Sequence, residues 1–250
     1  MKLIGGNMKR LISIGLVGVI TLGCGSSSSH SENKALVSSQ QLADAFDIIE
    51  EIDYLPYAFT TDGCYARALY MSMELASSAI PSSSLYVMGD LQPNDQTRWR
   101  YHVAPLITEE DFSAAYILDP SLLEAPASIG DWVIASDELW PDDEYNYWLA
   151  DGSRYIDDEW LNINYSAQTD LLQQSAVLDG MLQSFEEMPA FSMEDVNHAC
   201  KTMHRYWGGV DGLSSGSLAL IREKLLERSQ QLVTRLSQLG KIDGGQFTCR

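Results

Sequence analysis

Basic residues are scarce in this sequence of 250 residues, which has 16 Lys and Arg against 35 Asp and Glu. The formal net charge is −19 at pH 7. Nucleic-acid phosphates and anionic lipid head groups attract basic surfaces, so this balance argues against both as partners. A hydrophobic content of 45% indicates a globular chain with a sizeable core. The acidity itself is compatible with neutral or cationic protein partners.

Long uncharged apolar runs are also scarce, and the clearest one covers residues 11–22, after two basic residues. Such a run is too short to span a bilayer, but it is typical of a signal-peptide core. It ends just before Cys24 in a stretch that resembles a bacterial lipoprotein signal. We therefore expect a signal peptide at residues 1–23, lipidation of Cys24 and a flexible tether over residues 24–37. The expected location is the bacterial cell envelope, with the protein lipid-anchored at the outer membrane, or ordinary secretion.

Cysteine is rare, with only Cys24, Cys64, Cys200 and Cys249 in the whole chain. If Cys24 carries lipid, an odd number remains for an oxidising compartment, which indicates a free thiol or an intermolecular link. Cys200 and Cys249 flank a helical C-terminal region, so we expect a disulfide between them and a free Cys64. Other pairings stay open, because connectivity cannot be read from a sequence.

The rest of the chain predicts one catalytic domain over residues 38–250, with helices before and after a β-meander. Predicted helices cover residues 38–52, 64 to about 81, 167–186, 192–205 and 216–239. Predicted strands cover residues 84–90, 99–107 and 114–119, with a turn region at 91–97. The acidic and aromatic region 137–165 shows no clear element beyond a strand near its end. This order of elements is an α+β pattern.

Cys64 lies at the predicted start of a helix, because Asp62 and Gly63 form a turn before a helical pattern of apolar residues. Unpaired backbone N–H groups and the helix dipole favour an anion in the first turn. A thiol there is stabilised as the thiolate, which is the nucleophilic form. A small buried residue or half of a disulfide remains an equal interpretation of this stretch alone.

A histidine and an aspartate on neighbouring strands supply a base and its partner. If the second and third strands form a hairpin in which Ile107 pairs with Ala114, His102 falls opposite Asp119. Directly opposed residues share a face, within reach of a hydrogen bond. Cys64, His102 and Asp119 then form a candidate nucleophile, base and orienting group. Taken singly, a packed histidine and a turn aspartate are the simpler interpretations.

Three ordered segments, "DGCYARA" (62–68), "WRYHVAPLI" (99–107) and "YILDPSL" (116–122), resemble the protein-glutaminase family. Its members are secreted bacterial enzymes that deamidate glutamine side chains in proteins. The resemblance covers roughly residues 55–125. It implies a papain-like or transglutaminase-like core in which a helix carrying Cys64 packs on an antiparallel sheet, and the residue pattern adds further C-terminal helices. It also implies roles as nucleophile, general base and acid, and orienter for Cys64, His102 and Asp119. Leu69 stands where the family usually has histidine.

The implied activity is hydrolysis of glutamine side chains to glutamate and ammonia through a thioester. The expected partners are proteins or peptides with exposed glutamine, the membrane is reached only through Cys24, and the protein is expected to be a monomer. No cofactor or metal is expected, since His198, Cys200 and His204 do not share one helical face. The backbone N–H of Cys64 is the natural oxyanion donor, and Trp99 or a tyrosine in 54–57 is a candidate for the second. A transglutaminase, a cysteine peptidase and a non-catalytic lipoprotein binding module remain alternatives.

Overall fold

A computed structural model describes residues 38–59, 61–108, 115–137, 145–156 and 190–249. These residues belong to one unit, Lys34–Arg250. The expected signal peptide, Cys24, the tether over residues 24–37 and the helix predicted at 167–186 lie outside the described residues. None of the described helices is long and apolar enough to cross a membrane.

Two helices precede the sheet, α1 at Ser39–Glu50 and α2 at Cys64–Ser77. Ser38 starts α1 through a capping box, in which its Oγ accepts from the N–H of Gln41 and the Gln41 side chain accepts from the N–H of Ser38. Almost the whole of α2 is buried, from Cys64 through Ala76. A helix that is buried nearly all round packs against several elements, which makes α2 the centre of the fold.

Five strands form one sheet in the order β4-β3-β2-β1-β5, and all the pairings are antiparallel. The strands are β1 at Ser83–Asn94, β2 at Thr97–Thr108, β3 at Ala115–Ile117, β4 at Ala127–Ser128 and β5 at Asn146–Asp151. The later helices are α3 at Ile129–Ser136, α4 at Met193–Tyr206 and α5 at Ser215–Gln238, with a 3₁₀ turn at Trp207–Gly209 after α4.

The sheet is covered on both faces, because side chains alternate between two buried clusters. Tyr86 and Val103 pack with α1, α2, α4 and α5 on one face. Leu85 and Ala104 pack on the other face with Trp132 of α3. The strand that carries His102 is therefore packed on both faces, and the helix that begins at Cys64 lies against one of these faces.

An ion pair between a buried carboxylate and a half-buried arginine ties α2 to α5. Glu74 is 4% exposed and accepts hydrogen bonds from Arg228 at Nε (2.7 Å) and Nη2 (2.5 Å), and from the hydroxyl of Tyr54 at 2.6 Å. A buried carboxylate that is paired and hydrogen-bonded in this way avoids the cost of an uncompensated charge.

The predicted α+β class, with a cysteine-bearing helix on an antiparallel sheet and further helices after it, is confirmed. The predicted hairpin register was wrong by two residues, since Ile107 pairs with Tyr116 rather than with Ala114. The predicted turn region at 91–97 was too long, because buried Leu91 and Pro93 continue β1 beyond an irregularity that follows Met88. Helix α3 and strands β4 and β5 were not predicted.

Candidate active site

The turn before Cys64 is held in a conformation that requires glycine. Gly63 caps α2 with a φ of +85°, and a Cβ there would lie 2.6 Å from Cδ2 of Tyr206. Its N–H donates to Oδ1 of Asp62 at 2.6 Å. Because Cys64 is the first residue of α2, its own N–H has no acceptor within the helix. Cys64 is 8% exposed and is the free cysteine among the described residues.

Arg67 fixes the loop that leads into this turn. Its side chain is buried, and Nη1 donates to the backbone oxygens of Phe59 at 2.9 Å and Asp62 at 3.1 Å. Arg67 lies one helical turn after Gly63, so the "CYAR" spacing allows its side chain to return to the loop. The arginine in this motif therefore orients the residues that precede Cys64.

His102 and Asp119 form a buried pair, 1% and 2% exposed. Nε2 of His102 donates to Oδ2 of Asp119 at 2.7 Å. The pair does not arise from direct opposition on two strands, because β3 ends at Ile117 and Asp119 follows it. The N–H of Leu118 donates to the backbone oxygen of Pro105 at 2.9 Å, so the chain stays beside β2 after β3 ends.

Three further groups hold the carboxylate of Asp119. Trp132 donates from Nε1 to Oδ2 at 2.9 Å, and the N–H and hydroxyl of Ser121 donate to Oδ1. Burial alone would raise the pKa of Asp119, but His102 and the hydrogen bonds from Ser121 and Trp132 outweigh it and lower the pKa to about 2. Asp119 therefore stays ionised and acts as an acceptor.

The electrostatic environment of His102 favours the imidazolium. Burial works to lower its pKa, but the charge of Asp119, its hydrogen bond and the neighbouring Cys64 side chain raise the pKa to about 9. Nδ1 is buried and has no hydrogen-bond partner of good geometry among the described residues. With Nε2 held by Asp119, Nδ1 is the ring nitrogen left to exchange a proton with the thiol.

Trp99 covers the imidazole. The two rings stack with centroids 4.5 Å apart and an angle of 18° between their planes. The pairing of β1 with β2 is irregular next to Trp99, between Met88 and Leu91, and Leu91 is the residue paired with Trp99. A flat aromatic surface on His102 restricts rotation of the ring and keeps water from one side.

A cavity of about 280 Å³ opens at Cys64. It is lined by Thr61, Asp62, Cys64, Arg67, Arg98, Trp99, Arg100 and Tyr101. A larger cavity of about 510 Å³ lies between α1, α2 and α5, where its buried carboxylate, Glu74, is fully engaged by Tyr54 and Arg228. The smaller cavity is therefore the better candidate for chemistry, because a free cysteine lines it.

The candidates for a second oxyanion donor separate into two groups. The hydroxyl of Tyr54 donates to Glu74, and that of Tyr57 donates to the oxygen of Ile49 at 2.7 Å. The two tyrosine hydroxyls are thus committed to other partners. Trp99 lines the cavity beside Cys64 and remains the candidate.

Cys200 and Cys249 are joined by a disulfide with a Cα–Cα distance of 5.4 Å. Within the described part of the chain, no group of three or more His, Cys, Asp or Glu side chains could hold a metal ion. Leu69 of α2, at the position of the family's histidine, is fully buried in the core. That position serves packing in this chain.

Sequence reasoning did not identify the orienting roles of Trp132, Arg67 and Tyr206. Tyr206 is furthest from the motifs, and its hydroxyl donates to Oδ2 of Asp62 while its ring stacks on Phe59 with centroids 4.9 Å apart. Of these three residues, only Arg67 had a signal in the sequence, because it lies inside the "CYARA" segment. The other two contacts join residues that no local pattern relates.

Comparison with known proteins supports the resemblance. Residues 40–135 match a family of glutamine deamidases described as "Glutaminase". The match confirms the similarity to protein-glutaminases that the three motifs indicated. No curated protein matches the chain.

Solved structures of protein-glutaminases are also similar to part of the chain. The NMR structure of protein-glutaminase from Chryseobacterium proteolyticum is 22% identical with a TM-score of 0.43, over 52% of this chain and 85% of that one. A crystal structure of protein-glutaminase is 22% identical with a TM-score of 0.44 over the same shares. A crystal structure of pro-protein-glutaminase is 21% identical with a TM-score of 0.44, over 54% of this chain and 55% of that one.

Proposed function

We propose that this chain is a protein-glutamine deamidase that hydrolyses glutamine side chains to glutamate and releases ammonia. The observation that carries the proposal is the buried hydrogen bond from Nε2 of His102 to Oδ2 of Asp119, beside a free cysteine at a helix start. The similarity of residues 40–135 to glutaminases supports glutamine as the substrate. In this proposal Cys64 is the nucleophile, His102 is the general base and acid, and Asp119 orients the imidazole.

The reaction proceeds in two halves. The Cys64 thiol passes its proton to Nδ1 of His102, and the thiolate attacks the side-chain amide carbon of glutamine. His102 returns the proton to the amide nitrogen, the C–N bond breaks and ammonia leaves, so that a thioester remains on Cys64. Water then gives a proton to His102 and attacks the thioester carbon, the C–S bond breaks to release glutamate, and His102 returns the proton to the sulfur of Cys64.

Developing negative charge on the amide oxygen needs preorganised donors. The N–H of Cys64 is suited to this role, because the first N–H groups of a helix have no intrahelical acceptor and carry the positive end of the dipole. Trp99, which lines the same cavity, is the second donor in this proposal.

The decisive experiment incubates the mature domain with a glutamine-rich protein and measures ammonia and a mass increase of one dalton per site. We expect both with the wild type and neither with Cys64→Ser. Cross-linking to lysine amines would indicate a transglutaminase, and chain cleavage would indicate a peptidase. Absence of all three products, together with no alkylation of Cys64 by iodoacetamide, would indicate a binding module.

We also propose that lipid attached to Cys24 anchors the protein in the bacterial cell envelope. The support is the signal-like sequence before Cys24 and the net charge of −19, which opposes adsorption to anionic head groups. Cys24→Ser should then release a soluble and still active protein. Retention of that variant in membranes after a high-salt wash would contradict the proposal.

A further inference from the structure

The cavity at Cys64 has a charge opposite to that of the molecule. Three of its eight lining residues are arginines, Arg67, Arg98 and Arg100, and Asp62 is the one acidic residue of the lining. The whole chain has only 16 basic residues against 35 acidic ones. A cleft lined by one sign of charge concentrates ligands of the opposite sign.

The arginines differ in what they can offer a ligand. Arg67 is buried and committed to backbone oxygens of the loop before Cys64. Arg98 and Arg100 are exposed on β2, on either side of Trp99 at the cavity. Arg98 and Arg100 therefore lie at the rim of the cavity, whereas Arg67 forms part of its wall.

Arg98 already contacts a carboxylate in the free protein. Its Nη2 lies 3.0 Å from Oδ2 of Asp90, and the two side chains are 69% and 73% exposed. An ion pair this exposed contributes little to stability. A carboxylate on a bound substrate can therefore replace Asp90 at small cost, and the planar guanidinium can accept it in a bidentate geometry.

From this arrangement we infer that the site selects glutamines with acidic side chains beside them, which Arg98 and Arg100 bind at the cavity rim. The inference rests on the proposed function of Cys64, because it names the substrate class of the same site. The glutamine amide is neutral and enters the cavity, and the flanking carboxylates stay at the exposed rim. A flanking lysine would face the same arginines and be repelled.

The test uses three peptides that differ only in the residues flanking one glutamine, which are glutamate, alanine or lysine. Ammonia release gives kcat/KM for each peptide. We expect the acidic peptide to exceed the neutral one by about three- to tenfold at low salt and the basic peptide to be poorest. The advantage should shrink in about 1 M salt, where the Debye length is about 3 Å.

Variants assign the preference to the rim. In the double variant Arg98→Gln and Arg100→Gln, the acidic-to-neutral ratio of kcat/KM should fall close to one, mainly through KM. Arg235→Gln is the matched control, because Arg235 is exposed on α5 and does not line the cavity. Equal kcat/KM for the three peptides with the wild type, or an unchanged ratio in the double variant, would overturn the inference.

A binding assay separates this inference from the proposed function. Each peptide is added while iodoacetamide alkylates Cys64, and protection of the thiol is measured. Protection by the acidic peptide but not by the basic one supports acidic selection even if no peptide releases ammonia, in which case only the deamidase proposal fails. Equal or absent protection by all peptides contradicts acidic selection.

Discussion

Tyr206 on α4 donates a hydrogen bond to Asp62, 144 residues earlier in the chain. The other carboxylate oxygen of Asp62 accepts from the N–H of Gly63, directly before Cys64. Burial and the hydrogen bond to Asp62 raise the pKa of Tyr206, so its hydroxyl stays protonated and remains a donor. The turn that presents the thiol is thus fixed by a helix outside the segment that matches glutaminases.

Tyr206→Phe should lower kcat about tenfold and change KM little. The substitution keeps the ring stacked on Phe59 and removes the hydroxyl, which donates to Asp62 and accepts from Nη2 of Arg205 at 2.9 Å. A hydrogen bond to a carboxylate is worth about 1.5–3 kcal/mol. Without it Asp62 can rotate, and the N–H of Cys64 is less well placed for the oxyanion. Steady-state kinetics and the pH dependence of Cys64 alkylation measure the effect. A lower melting temperature with unchanged kcat and alkylation would show a purely structural role.

Asp119→Asn should reduce turnover by about 100-fold or more while the protein remains folded, because an amide cannot hold the imidazole in the tautomer that leaves Nδ1 available. The matched variant is Trp132→Phe, which removes one of the donors to Asp119 and should cost less, about three- to tenfold in kcat. Comparison of kcat for the two variants checks the order. A larger loss in Trp132→Phe than in Asp119→Asn would contradict the orienting role of the carboxylate.

Activity should fall as pH rises through about 9, because His102 then loses the proton that the leaving ammonia requires. The charge of Asp119 is a main cause of that raised pKa, so the alkaline limb of kcat/KM should move to lower pH in Asp119→Asn. Profiles of kcat/KM against pH for both proteins test this. An alkaline limb at the same pH in both would show that another group controls it.

The same groups make stability depend on pH. His102 has a pKa near 6.5 when unfolded and about 9 when folded, so its contribution is complete below 6.5 and is lost as pH rises through 9. Asp119 has a pKa near 3.8 when unfolded and about 2 when folded, so its contribution is complete above 3.8 and is lost as pH falls through 2. The difference in melting temperature between wild type and Asp119→Asn should therefore be largest between about pH 4 and 6.5.

The sequence alone predicted that His102 and Asp119 lie in contact, but it did not predict the backbone path that brings them together. His102 and Asp119 were expected to pair by direct opposition, and the observed register is shifted by two residues. The contact forms because the chain turns after Ile117, where Trp132 and Ser121 hold the carboxylate. Hydrophobic alternation specifies which face a side chain occupies, and a two-residue shift preserves that face.

Elements whose stability depends on distant contacts were harder to predict. Helix α3 has only 8 residues, and Ile134 is exposed while Trp132 is fully buried, so its periodicity is weak. The orienting contact of Tyr206 with Asp62 depends on how α4 packs against α2. Local patterns do not contain that information, whereas the helix start at Cys64 follows from adjacent residues.

Removal of the disulfide between Cys200 and Cys249 should lower the free energy of unfolding by at most about 4 kcal/mol, the chain-entropy estimate for a loop of this length. The bridge joins residues 49 apart. The loss should be smaller than this maximum, because other contacts hold the same segment: Asp243 accepts from the N–H of Met193 at 2.6 Å, and Phe191 pairs with Ile242. Urea unfolding of the double variant Cys200→Ala and Cys249→Ala measures the loss.

Because Cys200 and Tyr206 lie on the same helix, the variant should lose activity on heating before it loses helical signal. Non-reducing peptide mapping of the wild type is the control, and a bridge from Cys64 to either cysteine in active protein would contradict both this pairing and the role of Cys64.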